Sequence, residues 1–324
     1  MWGARRPAGD TGLPVSLEII VPAHNEAQRL PDGLKVLTEA AAALPCGAAI
    51  LVVDNASTDS TAAIVQDWPS EPVPVRLLQC TRRGKGAAVR TGLLASRAPF
   101  VGYLDTDMAT HLSALGSALA LLVAGHQVVI GSRAHTDSVV EDRHSWVRSL
   151  GAAVFRGAAR VIVAGVTDTQ CGFKFFSGPL VRAAAATMIT SGFSFDVELL
   201  ARCRRLGADV SEIPVHWRDM PGSTFSVQRH AISAFTELAS IWLSLRADED
   251  HGPRPIPVPP ALDGVPAPPP LHQARPAVAT TVPVLVVDGQ PADPDEHAVA
   301  DAGGGQAPAW ASPAGEARAP SRGL

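Results

Sequence analysis

The sequence lacks both paired cysteines and a strongly unbalanced charge. Its 324 residues include four cysteines, none in a CxxC pair and none with histidines at zinc-site spacing, which excludes a disulfide framework and a zinc finger. We expect these cysteines to be reduced thiols, as in a cytoplasmic protein. The formal net charge of -4 gives no basic footprint, so we expect no nucleic-acid partner.

The chain also lacks a long, uninterrupted apolar run. Two arginines near the N-terminus are followed by no apolar core, which argues against a signal peptide or a membrane anchor there. The most apolar stretch, residues 112–130, is interrupted by His126 and Gln127, and we interpret it as a buried helix followed by a core strand. The sequence therefore predicts a cytoplasmic protein.

The composition changes abruptly after residue 246. The segment beyond it holds 16 of the 28 prolines and a glycine run at 303–305, and it cannot bury enough apolar surface to offset the entropy of ordering. We predict a disordered N-terminus over 1–13, one folded domain over 14–246, and a disordered Pro/Ala/Gly-rich tail over 247–324. The apolar run 282–287 is either a chance island in this tail or a docking strand.

Strand-like and helix-like segments alternate through the first half of the folded domain. The strands are predicted at 17–21, 48–53, 73–79, 100–104 and 128–131. The helices are predicted at 26–43, 59–67, 86–96 and 112–124. This alternation predicts an α/β fold with a doubly wound, mostly parallel sheet flanked by helices, whose ligands bind beyond the carboxyl ends of the strands.

Polar residues follow three of these strands, at 22–26, 54–57 and 105–107. Each cluster alone could be a loop with a helix cap. Three clusters at the strand ends of one sheet favour a ligand site instead.

Asp105 and Asp107 leave their strand together. Two neighbouring carboxylates repel each other unless a cation lies between them, so we expect Mg²⁺ or Mn²⁺ there, together with the oxygens of a diphosphate. Asp54 suits hydrogen bonds from a nucleotide base or ribose, or it caps the next helix.

A basic run at 82–86 contains Lys85 between two glycines. It is either a solvated turn or a contact to the diphosphate or base of a nucleotide. It is not a P-loop, because the GxxxxGK[ST] spacing is absent.

An ordered series of motifs resembles the inverting GT-A glycosyltransferases. The motifs are VPAHNE (21–26), VVDNASTD (52–59), RRGKGAAVRTG (82–92), DTD (105–107), GSRAH (131–135) and DTQCGFKFF (168–176). The combination of GSRAH, DTQCGFKFF and FDVELL (195–200) is similar to the dolichyl-phosphate β-glucosyltransferases and their bacterial polyprenyl-phosphate relatives. The resemblance covers residues 17–246.

The resemblance implies roles for particular residues. The nucleotide would be bound by Pro22, Ala23, Glu26, Asp54 and Lys85. The metal and the donor diphosphate would be held by Asp105 and Asp107.

On the acceptor side, the resemblance implies that the phosphate is bound by Arg133, with Arg148 beside it, because the two N–H groups of a guanidinium can bond two phosphate oxygens together. Asp168 and Gln170 would close the acceptor side, with Asp168 in a positioning role because an anionic acceptor needs little or no general base. Phe195, Asp196 and Glu198 match a family segment at the start of a helix, where Asp196 could equally be a cap.

Three features depart from the family pattern. Asn55 stands where a second acidic residue is common, and Thr224 where a basic residue is common. The third is the membrane anchor that most eukaryotic relatives carry, which we do not expect in this chain. Membrane contact would then depend on amphipathic segments such as 231–246, whose apolar stripe is either core or a membrane-surface face.

The activity that this resemblance implies is transfer of a hexose, glucose or mannose, to a polyprenyl phosphate with inversion. The donor would be UDP-glucose or GDP-mannose, and the enzyme would lie in the cytoplasm with peripheral contact at the inner face of the cell membrane. One alternative is a GT-A enzyme with a small soluble phosphorylated acceptor, such as a phosphorylated three-carbon acid. The other is a non-catalytic sugar-nucleotide binding protein that acts through its tail.

Overall fold

The computed structural model describes residues 15–141, 146–219 and 227–249, and gives only the backbone at 15, 146–153, 227–233 and 248–249. The N-terminal segment predicted to be disordered, and the tail from 250 onward, lie outside the described residues. Both remain predictions.

Strands and helices alternate along most of the described chain. In chain order the elements are β1 Val15–Ala23, α1 Leu30–Ala42, β2 Gly47–Asp54, α2 Thr61–Gln66, β3 Val75–Gln79, α3 Lys85–Ala95, β4 Phe100–Leu104, α4 Ala114–Val123, β5 Val128–Ser132, β6 Val139–Glu141, α5 Trp146–Ile162, β7 Phe173–Ser177, α6 Gly178–Ala186, α7 Phe195–Arg205, β8 Val210–Pro214, β9 His216–Arg218 and α8 Val227–Glu249.

The central sheet has seven strands in the order β3-β2-β1-β4-β7-β5-β8. Only β7 runs antiparallel to its neighbours, β4 and β5. Strand β2 is buried along nearly its whole length, as expected for an apolar strand covered on both faces. A separate two-stranded ladder joins β6 to β9 in parallel. The prediction of a doubly wound, mostly parallel sheet is confirmed.

Helices cover both faces of this sheet. On one face α3, α6 and α7 enclose a core that includes Leu93, Tyr103 and Phe176. On the other, α1 and α4 enclose a core that includes Leu34 and Phe173. The apolar stretch 112–130 is a helix, α4, followed by the fully buried strand β5, as predicted. No helix in the described ranges has the length and apolar character needed to span a bilayer.

Two local predictions need adjustment. The first helix was predicted from residue 26 but begins at Leu30, because Asn25 has a φ of 54° and the next residues form a turn closed by the Leu30 N to Glu26 O hydrogen bond. The apolar stripe at 231–246, interpreted as either core or a membrane-surface face, is partly each: Leu238 and Leu245 are buried, whereas Phe235 and Trp242 are exposed. The four cysteines are free thiols, as expected.

Candidate active site

The polar residues at the ends of β1, β2 and β4 meet at one edge of the sheet. In the parallel β1–β2 pair Ala23 lies opposite Asp54. The backbone N–H of Asn55 donates to the Ala23 carbonyl at 2.8 Å, and the Thr106 hydroxyl donates to the Pro22 carbonyl at 2.7 Å. These cross-strand bonds hold the three strand ends in one rigid edge.

The acidic turn after β4 lies against Lys85. The Lys85 Nζ is 2.6 Å from Oδ1 of Asp105, and the two side chains keep 25% and 33% of their surface exposed. Gly172, just before β7, makes room for this carboxylate, because a Cβ at that position would collide with Oδ2 of Asp105. The backbone of the DTQCG segment therefore forms the wall behind Asp105.

The two carboxylates of the DTD turn differ in their electrostatic surroundings. Burial alone would raise the pKa of Asp105, but the neighbouring Lys85 ammonium outweighs burial and lowers it. Burial and the Asp105 carboxylate both raise the pKa of Asp107. One lysine thus balances one carboxylate, and Asp107 is left in an environment that favours a further cation.

The residues of this turn fit a hard divalent cation. The buried Oδ1 of Asp105 has no partner but the Lys85 ammonium among the described residues, so it keeps a lone pair for a further ligand. No cluster of three or more His, Cys, Asp or Glu side chains suited to a metal is found in the described ranges. A cation at Asp105 and Asp107 would therefore take other ligands from water or phosphate oxygens, as Mg²⁺ commonly does.

Asn55 connects the loop that precedes α3 to the end of β2. Its side-chain oxygen accepts from the Gly84 amide at 2.8 Å, and its Nδ2 donates to the Arg82 carbonyl at 2.7 Å. Its backbone carbonyl lies 2.7 Å from Nδ1 of His24. An amide both donates and accepts, which an ionised carboxylate cannot do. The sequence showed only that a charge is missing at 55. The structure shows that the side-chain amide of Asn55 holds the loop of residues 82–84, which we call the Lys85 loop because it leads into Lys85.

The remaining donor-side candidates lie at the same edge but also bond within the protein. Asp54 is buried, and its Oδ1 accepts from the Ser57 amide at 3.3 Å, which closes a loop turn. The alternative that it caps the next helix is wrong, because α2 begins only at Thr61 with Ser60 at its N-cap. The Glu26 carboxylate makes a two-point contact with Arg29 at 2.7 and 2.8 Å. Nucleotide binding by these residues stays a prediction.

On the acceptor side, Arg133 and Asp168 form a two-point ion pair. Nε and Nη2 of Arg133 donate to the Asp168 carboxylate at 2.7 and 2.9 Å, and the Arg133 amide adds a third bond at 3.0 Å. Burial would raise the pKa of Asp168, but these bonds from Arg133 lower it to about 2. A carboxylate this acidic is a poor proton acceptor, which agrees with a positioning role.

Arg133 and Gln170 both keep hydrogen-bond donors. Among the described residues, the hydrogen bonds of the Arg133 guanidinium use Nε and Nη2, and its carbon lies 5.5 Å from the Trp217 ring centre. Nε2 of Gln170 is buried without a hydrogen-bond partner in the described chain. An unsatisfied buried donor is costly, which favours a ligand that accepts from it. Arg148 lies on α5 where only the backbone is described, so its predicted role stays open.

A buried charged network beneath the acidic turn was missed by sequence reasoning. Lys174 on β7 is fully buried and donates to Oδ1 of Asp196 and to the Cys171 carbonyl, both at 2.6 Å. Tyr103 donates to the same Asp196 oxygen. Asp196 is not the cap of α7, because Ser194 occupies the N-cap position and Asp196 lies inside the helix; its carboxylate instead joins α7 to β4 and β7 below Asp105. The sequence signal that could have indicated this network is the presence of Lys174 and Tyr103 inside strands that are otherwise apolar.

Comparison with known proteins adds evidence independent of this geometry. Residues 18–176 match the family model described as glycosyl transferase family 2. The chain is 34% identical over 227 residues to a dolichyl-phosphate beta-glucosyltransferase of Dictyostelium discoideum, covering 64% of this chain and 68% of that protein. It is 31% identical over 252 residues to the Drosophila melanogaster enzyme of the same name, covering 73% of this chain and 77% of that one.

Solved structures share the fold. Glucosyl-3-phosphoglycerate synthase of Mycobacterium tuberculosis, crystallised with uridine diphosphate, superposes with a TM-score of 0.53 at 19% identity. The match covers 73% of this chain and 87% of that one. At this identity the likeness shows a common architecture alone.

Proposed function

Because the chain belongs to glycosyl transferase family 2, with a GT-A fold and nucleotide-sugar-dependent transferase activity, we propose that it transfers a hexose to a polyprenyl phosphate with inversion. The sugar is glucose or mannose, from UDP-glucose or GDP-mannose. The observation that carries this proposal is the sheet edge where Lys85 pairs with Asp105 beside Asp107, in a chain about one third identical to proteins named for transfer to dolichyl phosphate.

The donor lies at the ends of β1, β2 and β4 in this proposal. Pro22, Ala23, Glu26 and Asp54 contact the nucleoside, and the loop held by Asn55 brings Lys85 to the diphosphate. Asp105 and Asp107 would hold Mg²⁺ or Mn²⁺, which would supply positive charge to offset that of the nucleoside diphosphate leaving group. Preorganised positive charge at a leaving group is among the largest contributions to catalysis.

The acceptor phosphate lies on the side of β5 and the DTQCG turn. Arg133 binds it through Nη1 while Asp168 fixes the orientation of the guanidinium, and Gln170 donates through Nε2. Arg148 adds a second guanidinium. An acceptor phosphate oxygen forms a bond to the anomeric carbon as the bond from that carbon to the diphosphate breaks, so the configuration inverts. Because the nucleophile is already an anion, no side chain has to remove a proton.

A polyprenyl phosphate resides in a bilayer, so this function requires the enzyme to reach a membrane surface. We place its action at the inner face of the cell membrane, with peripheral contact.

Transfer of label into a lipid phase tests the proposal. Purified protein with Mg²⁺ is incubated with radiolabelled UDP-glucose or GDP-mannose and a detergent-dispersed polyprenyl phosphate, and the products are extracted with organic solvent. We expect labelled lipid with one donor and none with the Asp107→Asn variant. Label transferred instead to 3-phosphoglycerate would assign a soluble acceptor. Donor binding without turnover on either acceptor would indicate a sugar-nucleotide binding protein.

A further inference from the structure

Helices α5 and α8 expose an unusual amount of apolar surface. Ten large hydrophobic side chains are exposed in the described part of the chain, and half of them lie on these two helices: Val154, Val161, Phe235, Trp242 and Leu243. The helices pack side by side, with the Phe155 and Phe235 rings 6.3 Å apart. Val161 of α5 and Trp242 of α8 also line one groove, and we call the exposed apolar side chains of these two neighbouring helices the α5–α8 surface. Scattered apolar residues need no explanation, but a contiguous group indicates an interaction site.

Helix α8 has a separate buried face, so its exposed apolar residues are not the ones that pack into the core. The inward side of α8 buries Leu238, Ile241 and Leu245. The Glu237 carboxylate accepts from the Ser194 amide at 3.0 Å, which ties α8 to the start of α7. Phe235, Trp242 and Leu243 therefore project outward from a helix that is already firmly docked.

The charged side chains described on α5 and in the adjoining groove are all basic. The acidic residues of α8 are Glu237, which bonds to the Ser194 amide, and Asp248 and Glu249, for which only the backbone is described. Arg156 and Arg160 are exposed on α5, and residues 146–162 contain no acidic side chain. An open groove of about 430 Å³ at the ends of α5, α7 and α8 is lined by Val161, Ile162, Ala164, Ala201, Arg204, Arg205, Trp242, Leu245 and Arg246. Three of these are arginines and none is acidic. The Arg246 guanidinium lies over the Trp242 ring at 3.8 Å, so cationic and aromatic groups share one patch.

We propose that the α5–α8 surface binds the headgroup layer of an anionic phospholipid bilayer. Tryptophan prefers the boundary between headgroups and acyl chains, where its ring is apolar on one side and hydrated on the other. Arginines beside it meet lipid phosphates, while Val161 and Leu243 reach the acyl boundary. The inference deepens the proposed function, on which it rests for its biological role, by naming the surface that meets the membrane.

Vesicle binding by the full chain tests this surface. Co-sedimentation is measured with vesicles of phosphatidylcholine alone and with an equimolar mixture of phosphatidylcholine and phosphatidylglycerol. We expect binding to the anionic vesicles that weakens with added salt. Removing charge in Arg156→Gln/Arg160→Gln should reduce the partition constant by roughly fivefold per arginine, about 25-fold in all. Trp242→Gln/Leu243→Gln should reduce it by about tenfold or more.

A matched control lies on the opposite face of the sheet. Lys35 and Val36 are exposed neighbours on α1, so Lys35→Gln/Val36→Gln removes one charge and one apolar group away from the α5–α8 surface. This variant should bind vesicles like the unmodified chain. All the substituted side chains are exposed, and unchanged thermal unfolding would verify that each variant is folded.

Separate readouts distinguish this inference from the proposed function. Equal vesicle binding by the control and the α5–α8 variants, or no preference for anionic vesicles, would overturn the inference even if transfer to detergent-dispersed polyprenyl phosphate is normal. Self-association without vesicles, abolished by Trp242→Gln/Leu243→Gln, would assign the surface to a second copy of the chain and likewise overturn it. Vesicle binding that depends on α5–α8, with no transfer to polyprenyl phosphate, would support the surface while refuting the proposed acceptor.

Discussion

Lys85 Nζ lies 2.6 Å from Oδ1 of Asp105, so the first residue of α3 and the turn after β4 share an ion pair. The lysine supplies one positive charge where two carboxylates approach each other. Because the pKa of Asp105 is lowered and that of Asp107 is raised, the second carboxylate is the one that lacks compensation. A bound divalent cation would supply it.

Asp107→Asn tests the metal site most directly. The substitution keeps the shape of the side chain but removes a charged ligand, so we expect turnover to fall by at least about a hundredfold, since metal neutralisation of a leaving group is worth several kcal/mol. Radiometric transfer assays with Mg²⁺ or Mn²⁺ measure the loss. Asp209→Asn, which neutralises an exposed aspartate before β8, is the matched control and should be fully active. Wild-type turnover in excess chelator would refute the metal prediction.

Asn55→Asp tests whether the amide holds the Lys85 loop. The new carboxylate cannot donate to the Arg82 carbonyl, and it places a negative charge against that oxygen. We expect a stability loss of about 1 to 3 kcal/mol and roughly tenfold weaker donor binding. Denaturant unfolding and calorimetry with UDP-glucose or GDP-mannose measure the two effects. Gln66→Glu, an amide-to-acid change on the exposed side of α2, should alter neither. Unchanged donor affinity in Asn55→Asp would separate the loop from donor binding.

The sheet and its polar edge could be predicted from the sequence because each depends on local patterns. Apolar runs marked β2 and β4, and the polar residues directly after them had to emerge at the same edge. Long-range pairing could not be predicted in this way. Nothing around Asp168 indicates that its carboxylate meets Arg133, 35 residues away, and nothing around Lys174 shows that its ammonium reaches Asp196. Such pairs depend on where β7 enters the sheet, which only the fold determines.

Acid should weaken the contribution of Asp168 to stability. Its folded pKa of about 2 lies below the ordinary value of 3.8, so the ionised carboxylate stabilises the fold above pH 3.8, and this stabilisation is lost as the pH falls towards 2. The shift corresponds to about 2 kcal/mol. Asp168→Asn should therefore be destabilised near neutrality, by a margin that shrinks between about pH 4 and 2. Unfolding of wild type and variant across this range checks the sign; a pH-independent difference would contradict it.

Removal of the C-terminal tail should leave the fold and the chemistry intact. Helix α8 extends to Glu249 and buries Leu245, so the chain should be ended after Glu249 rather than at the predicted boundary of 246. Because the remaining segment is rich in proline and poor in apolar side chains, we expect unchanged cooperative unfolding and unchanged turnover on a dispersed acceptor. Ending the chain after Trp242, which also removes Leu245, is the destabilised comparison. Loss of cooperative unfolding in the chain that ends at Glu249 would show that the tail is structural.

Substitution of Arg133 tests whether this residue binds the acceptor phosphate, but its ion pair with Asp168 means that a single substitution also changes stability. Arg133→Ala would leave a buried carboxylate unpaired, which costs about 3 to 5 kcal/mol of stability whatever the role of the arginine. Arg133→Gln/Asp168→Asn removes both charges together and should recover much of that stability. If Arg133 grips the acceptor phosphate, the double variant should still use acceptor poorly, by roughly 1.5 to 3 kcal/mol for each lost bond to a charged group.

The donor provides the contrast that decides this test. Donor affinity, measured by calorimetry with Mg²⁺ and no acceptor, should barely change in the double variant. Arg133→Lys keeps the charge but not the fork, so it should recover only part of the rate. Full recovery of acceptor use in the double variant would reduce Arg133 to a structural partner of Asp168. A large loss of donor affinity would instead assign the guanidinium to the nucleotide diphosphate, and the GSRAH segment could then no longer support a phosphate acceptor.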